Sequence, residues 1–377
     1  MRRIYFDNAS TTKINREVLT GYEKLLESFY VNSESLYDEG SEVHRMLEKA
    51  RSSIAGLLDI NPDEVIFTGG SSESNSAVIK GVSWADRSRK HIITTAIERS
   101  SILNSCAQME RLFRYRVPYL PVNSDGIVRV SDLANALDED TILVSIMMAN
   151  NETGAINPIA EIAETVKKKS HAYMHTDMTQ AIGKINCSMK NIDLASMSAH
   201  KIEGLKGSGI LVKRVHVPME PLISGGEQEY GLRGGTSNAC ANMMFAKTLR
   251  LALEREAKNG AHITQMHDHL MKELKDIEHI EINSPENGVP ETVNFSCEAI
   301  PSEVMQNALN SAGFMVSARS TCESRSNNPS YVLKAMGMSD RRASSCIRVS
   351  LSNENTIEEI DSFIVALKEI IRHYGQI

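Results

Sequence analysis

Short apolar runs alternate along the chain with longer stretches whose apolar residues recur about every three to four positions. Residues 64–68, 91–95, 141–146, 172–177, 194–198 and 209–213 are rich in Val, Ile, Leu, Met and Thr and predict buried strands. Helical spacing lies between several of them, as at 159–169. From Asn238 to about Ile280 the pattern predicts one long helix, ended by the turn-forming segment 284–290. A smaller alternation follows, with strands at 292–297, 314–318 and 346–351 and helices at 302–312 and 357–372. Strand and helix taking turns in this way predict an α/β fold, a mostly parallel sheet with helices on both faces. Ligands of such sheets bind beyond the carboxyl ends of the strands, so the polar residues that close each strand carry the chemical interest.

Three of those closures stand out. Gly69-Gly70-Ser71-Ser72-Glu73-Ser74-Asn75 follows the first strand. Glycines let backbone N–H groups approach an anion, and Ser71 and Ser72 add hydroxyl donors. The same segment also reads as a capped turn. It has neither the Gly-Lys-Ser/Thr ending of a nucleotide-binding loop nor the glycine spacing of a dinucleotide fold, which excludes a nicotinamide dehydrogenase. His175-Thr176-Asp177-Met178-Thr179-Gln180 closes a second strand. Asp177 there suits the protonated nitrogen of a pyridine ring, with Gln180 facing a ring oxygen; it also suits a helix cap. Ser198-Ala199-His200-Lys201, followed by Gly204, Gly207 and Gly209, closes a third. A lysine in a pocket loses charge on burial and gains the nucleophilicity that imine formation needs, whereas a lysine in a mobile loop stays solvated. Phosphate cradle, aspartate and lysine on successive strand ends together point to pyridoxal 5'-phosphate.

The chain has 377 residues, 41% apolar and 24% charged, enough for two cores. Its net charge of −7 excludes general nucleic-acid binding, so any anion site is local. No apolar run reaches the roughly 20 residues that span a bilayer, and the N-terminus turns polar too early for a signal peptide; a cytoplasmic protein is expected. The six cysteines, at 106, 187, 240, 297, 322 and 346, form no metal-ligand or C-x-x-C spacing, and no metal is expected.

The ordered set continues through Tyr5-Phe6-Asp7-Asn8-Ala9-Ser10-Thr11-Thr12, Asn150-Asn151-Glu152-Thr153-Gly154, Gly225-Gly226-Glu227-Gln228-Glu229, Arg233-Gly234-Gly235-Thr236, Cys322, Pro329-Ser330-Tyr331-Val332-Leu333 and Ile347-Arg348-Val349-Ser350-Leu351. In this it resembles the cysteine desulfurases of the NifS/IscS type, fold-type I pyridoxal-phosphate enzymes related to the class-V aminotransferases. The resemblance covers nearly the whole chain. It implies a large cofactor domain, residues 14–256, built on a mostly parallel seven-stranded sheet. A small α/β domain, residues 1–13 and 257–377, would carry the catalytic cysteine loop.

The resemblance also implies roles. Lys201 forms the Schiff base and later moves protons. Asp177 pairs with the pyridine nitrogen, and Gln180 and Asn151 surround the ring hydroxyl. Ser72, Ser198 and His200, with Ser71 beside them, bind the phosphate, joined by Thr236 from a second subunit of an obligate homodimer. Arg348 and Asn32 bind the carboxylate of L-cysteine. Cys322 attacks the substrate sulfur, becomes a persulfide, and alanine leaves. An acceptor or scaffold protein would then pass the sulfur to iron–sulfur clusters, thiolated tRNA or a vitamin. The run from Arg319 to Pro329 is small and polar, which suits a mobile loop; the other five cysteines read as structural.

Three departures bear on this. Arg99 replaces the histidine that the family stacks on the cofactor ring. A guanidinium cannot act as a general base, so Arg99 either turns towards a carboxylate or the phosphate, or alters the chemistry. It keeps open a β-lyase or aminotransferase, and a cofactor-binding chain that works within a complex. The run after Asn32 lacks the family's proline and has Tyr37 in place of its histidine. The stretch from Arg319 to Cys322 is about two residues shorter than usual.

Overall fold

The computed structural model describes residues 3–318 and 328–375. Its strands, in chain order, are β1 (Ile4–Tyr5), β2 (Val65–Thr68), β3 (His91–Thr95), β4 (Tyr119–Leu120), β5 (Thr141–Ser145), β6 (Tyr173–Asp177), β7 (Leu194–Ser198), β8 (Gly209–Lys213), β9 (Glu281–Ile282), β10 (Thr292–Ser296), β11 (Phe314–Met315) and β12 (Cys346–Ser350). Seven of them form one sheet in the order β2-β8-β7-β6-β5-β3-β4. All run parallel except β8, which is antiparallel to both of its neighbours. Strands β3, β5 and β7 are buried along their whole length, which is why they read as near-continuous apolar runs rather than as alternating ones.

Reversal of β8 matters for the site. Gly209, its first residue, pairs with Thr68 at the end of β2 and with Ser198 at the end of β7. Two strand ends that are not neighbours in the sheet thus meet across one glycine. A Cβ at position 209 would lie 2.5 Å from the Cα of Gly70, so only glycine lets the loop after β2 close over the sheet edge.

A second core lies around β9, β10 and β12, with Phe6, Phe295, Phe314 and Phe363 packed ring against ring. The helix Ala239–Lys275, capped by Asn238 through Ala241 N–H, joins the two cores. Its first half packs Phe245, Leu249 and Ala252 into the main core, its second half Ile263, Met266, Leu270 and Leu274 into the smaller one. The expected helix to Ile280 stops earlier, at Lys275: Asp276 caps it, and His279 takes a left-handed conformation that turns the chain into β9. The strand expected at 314–318 is likewise shorter. Only Phe314 and Met315 pair, because their partner β1 has two residues, and Ser317 makes just one bridge to Arg348.

Candidate active site

The carboxyl ends of β2, β6 and β7 converge on one side of the sheet. Gly70, at φ 143°, turns the chain into the helix Ser71–Ala77 and leaves the Ser71 N–H facing Ser198 Oγ at 3.4 Å. Ser71 and Ser198 are buried, while Ser72 is exposed on the first helical turn. Asp177 ends β6 and is 2% exposed. Its Oδ1 accepts from Thr179 N–H at 2.9 Å and its Oδ2 from Asn75 Nδ2 at 2.7 Å.

One helical turn beyond β7 stands Lys201, 8% exposed. Its Nζ donates to the carbonyls of Ala9 at 2.6 Å and Ser10 at 2.5 Å. Burial, and then the cations Arg99, Arg348 and Lys184, hold this amine well below the ordinary lysine range. The shift favours the neutral, nucleophilic form. His200 Nδ1 lies 3.1 Å from Thr11 Oγ1, and burial followed by the charge of Lys201 lowers the ring to about 4. Gln180 Nε2 also donates to the Ala9 carbonyl, at 2.9 Å, while its Oε1 accepts from Lys184. The N-terminal segment is therefore a strap beneath the site, held down by Thr12 N–H on the His200 carbonyl and by Asn8 Nδ2 on the Ser350 carbonyl.

From the smaller core β12 brings in Arg348, which is 1% exposed. Its Nη1 donates to the Asn151 carbonyl at 2.7 Å, its Nη2 to Asp7 Oδ1 at 2.9 Å and Ser10 Oγ at 2.7 Å. Arg348 Nε, Asn151 Oδ1 and Thr179 Oγ1 are buried with no hydrogen-bond partner among the described residues. Buried polar atoms are rarely left this way unless something else satisfies them.

Arg99 lies in the loop after β3, just ahead of the helix Ser100–Phe113. Its Nη1 donates to Ser71 Oγ at 2.9 Å and stands 3.6 Å from Asp177 Oδ2. Glu98 anchors the loop from behind: its buried carboxylate accepts from Thr95 Oγ1 and Met147 N–H, both at 2.8 Å, and its carbonyl accepts from Tyr331 Oη.

Comparison with known proteins decides what this arrangement belongs to. The family described as Aminotransferase class-V matches residues 4–363. The chain belongs to this family. Among its class-V relatives, it is 39% identical to the NifS/IcsS protein homolog of Lactobacillus delbrueckii subsp. bulgaricus, over 99% of this chain and 98% of that one. It is 36% identical to the cysteine desulfurase IscS of Methanosarcina thermophila, over 98% and 92%. A solved NifS-like protein superposes with a TM-score of 0.92 at 37% identity, over 98% of this chain and all of that one. The expected α/β fold and the NifS/IscS resemblance are borne out.

The cofactor of this class-V group is pyridoxal 5'-phosphate. The residues present fit it: a nucleophilic amine at Lys201, a buried carboxylate at Asp177, a serine-lined glycine turn, and unsatisfied polar atoms around them. Not every expected residue joins the cluster within one chain. Asn32 is exposed, and its Oδ1 accepts from Glu34 N–H in a local turn. Thr236 is exposed on the loop at 225–236. Glu229 pins that loop, accepting from Arg51 Nη1 at 2.8 Å and Phe67 N–H at 2.8 Å. Arg233 pins it again on Glu73 at 3.1 Å. Cys322, with Arg319 and Arg325, lies outside the described residues. Of the remaining cysteines, 106, 240, 297 and 346 are buried and 187 is partly so. Burial pushes the Cys187 thiol up to about 12, as suits a structural residue.

Asn75, Asp7, Glu98 and the carbonyls of Ala9 and Ser10 were not singled out for a role by sequence. Only Asp7 offered a signal, a lone acid just after a short apolar run.

Proposed function

We propose that the chain is a pyridoxal-phosphate cysteine desulfurase that moves sulfur from L-cysteine to Cys322 and releases L-alanine. The observation that carries this reading is Lys201: a nearly buried amine, biased towards its neutral form and held by two carbonyls at the meeting point of the strand ends. When bound, pyridoxal phosphate supplies an aldehyde for that amine and an electron sink for the substrate carbon.

Each role rests on this chain's own groups. Asp177 holds the ring nitrogen, and Gln180 and Asn151 face the ring hydroxyl. Ser71, Ser72, Ser198 and His200 hold the phosphate, with Thr236 reaching in from a second copy. Arg348, whose Nε has no partner among the described residues, fixes the substrate carboxylate with help from Asn32. Lys201 Nζ takes the proton from the substrate Cα and later returns it there, while the carbon that becomes the alanine methyl group takes the proton that the Cys322 thiol gave up in forming its thiolate. The Cys322 thiolate attacks the substrate sulfur; the carbon–sulfur bond breaks, a sulfur–sulfur bond forms, and atoms balance as alanine plus a persulfide.

The division into a domain of 14–256 and one of 1–13 with 257–377 is supported by the two separate apolar cores. A homodimer is supported by the apolar residues exposed at 26–37, where Leu36 is 97% and Tyr30 84% accessible. Among the described residues no helix is long and apolar enough to cross a membrane, and we place the enzyme in the cytoplasm, where an acceptor protein takes the sulfur.

The test is incubation of the cofactor-loaded protein with L-cysteine. Wild type is expected to give alanine and sulfide in step, and Cys322→Ala to lose both while keeping the cofactor. Pyruvate and ammonia, unaffected by Cys322→Ala, would replace this reading with an elimination.

A further inference from the structure

The guanidinium of Arg99 touches both ends of the candidate cofactor site. Through Nη1 it holds Ser71 Oγ in the glycine turn, and the same nitrogen lies 3.6 Å from Asp177 Oδ2. We infer that Arg99 is a charge-setting positioning residue, so that a ring nitrogen placed against Asp177 competes with a permanent cation and is less often protonated than beside Asp177 alone. This rests on the cofactor reading above and adds how the site sets the strength of its own electron sink.

Two hydrogen bonds already reach the carboxylate, from Thr179 N–H on Oδ1 and from Asn75 Nδ2 on Oδ2, and Arg99 adds its charge 3.6 Å from Oδ2. Among the described residues Asp177 is the only carboxylate within ion-pair distance of Arg99. Glu98, next in the chain, is fully buried, and burial raises it to about 8, which favours its uncharged form at neutral pH. His175, on β6 two residues before Asp177, is held between Ser145 and Ser196 hydroxyls and lowered to about 4 by burial. His200 and Lys201, which face Arg99 from the turn after β7, are likewise biased towards their neutral forms. Among the described residues Arg99 and Asp177 are thus each other's ion-pair partner, with Arg99 16% and Asp177 2% exposed. A cation so close to that carboxylate offsets part of the negative field that a proton on the ring nitrogen would meet. The consequence is chemical: a ring nitrogen less often protonated withdraws fewer electrons, and more of the proton handling falls on Lys201.

The test uses whole protein loaded with cofactor labelled by nitrogen-15 in the ring. The label's chemical shift is followed against pH in wild type, Arg99→Gln and Arg99→Lys. The protonation midpoint in wild type is expected about one to three pH units below that of Arg99→Gln. Arg99→Lys, which keeps the cation without the fork, is expected nearer to wild type. Equal midpoints in wild type and Arg99→Gln overturn the inference. So does a change in phosphate affinity alone, which would mean that Arg99 serves only the anion turn. Borohydride trapping on the same samples keeps the two claims apart. No adduct on Lys201 defeats the cofactor reading itself, whereas an adduct with equal midpoints defeats only the role of Arg99.

Discussion

Arg348 and Asp7 form an ion pair of 2.9 Å across 341 positions of sequence. The same guanidinium holds Ser10 Oγ and the Asn151 carbonyl, so one side chain ties β12 to the N-terminal strap and to the loop beyond β5. Replacing it tests binding and stability together. Arg348→Lys keeps the charge but loses the planar fork, and KM for L-cysteine is expected to rise about tenfold or more with a smaller change in kcat. Arg348→Ala leaves a partly buried Asp7 unpaired and is expected to cost about 3 kcal/mol, read from urea unfolding.

Lys201→Ala removes the amine on which the functional reading depends. The loaded protein is expected to give no borohydride adduct at that position, and alanine production to fall by at least about a thousandfold, the scale of a lost acid–base group. Retained turnover would sink the assignment. Far-ultraviolet circular dichroism checks that the fold survives.

Glu98 gives the molecule a pH dependence with a definite sign. Burial raises its carboxyl from an ordinary 4.5 to about 8, against the opposing hydrogen bonds from Met147 N–H and Thr95 Oγ1. Between those two values the native chain keeps a proton that the unfolded chain has released. Stability therefore falls as pH rises through that window and levels off above it. Glu98→Gln, an uncharged mimic, is expected to flatten the slope, measured as urea midpoints from about pH 5 to pH 9. An unchanged slope would show that Glu98 does not titrate there.

Arg51 and Glu229, 3% and 5% exposed, are a buried pair outside the catalytic cluster. Glu229 and Tyr230 both hold positive φ, at 50° and 58°, so the loop at 225–236 is bent against its preference and pinned by Arg51. Arg51→Met is expected to destabilise the chain by about 3 kcal/mol. If this loop presents Thr236 to a second copy, the variant also weakens cofactor retention, measured by dialysis, without altering KM for cysteine.

The positions of six of the seven sheet strands and the three strand-end motifs were legible because a buried parallel sheet concentrates apolar residues into short runs and leaves polar chemistry at their ends. Asp177, Ser198 and Lys201 were found that way. Asn75 was not, because one turn inside a helix it looks like any polar helical residue; only the fold shows it reaching Asp177. The carbonyls of Ala9 and Ser10 carry no side-chain signature at all. The turn of Arg99 towards a carboxylate was one of two readings in the sequence, and its Nη1 lies 3.6 Å from Asp177 Oδ2.

The strap beneath Lys201 has a consequence for synthesis. Ile4 pairs with Phe314, Asp7 with Arg348, and Asn8 with Ser350. Residues 4–8 thus find their places only after residues 314–350 have emerged from the ribosome. Loop closure over that separation is slow, so the large sheet can form early while the floor of the pocket is still missing. A nascent chain arrested before β12 is complete would hold a folded sheet that cannot yet retain a coenzyme.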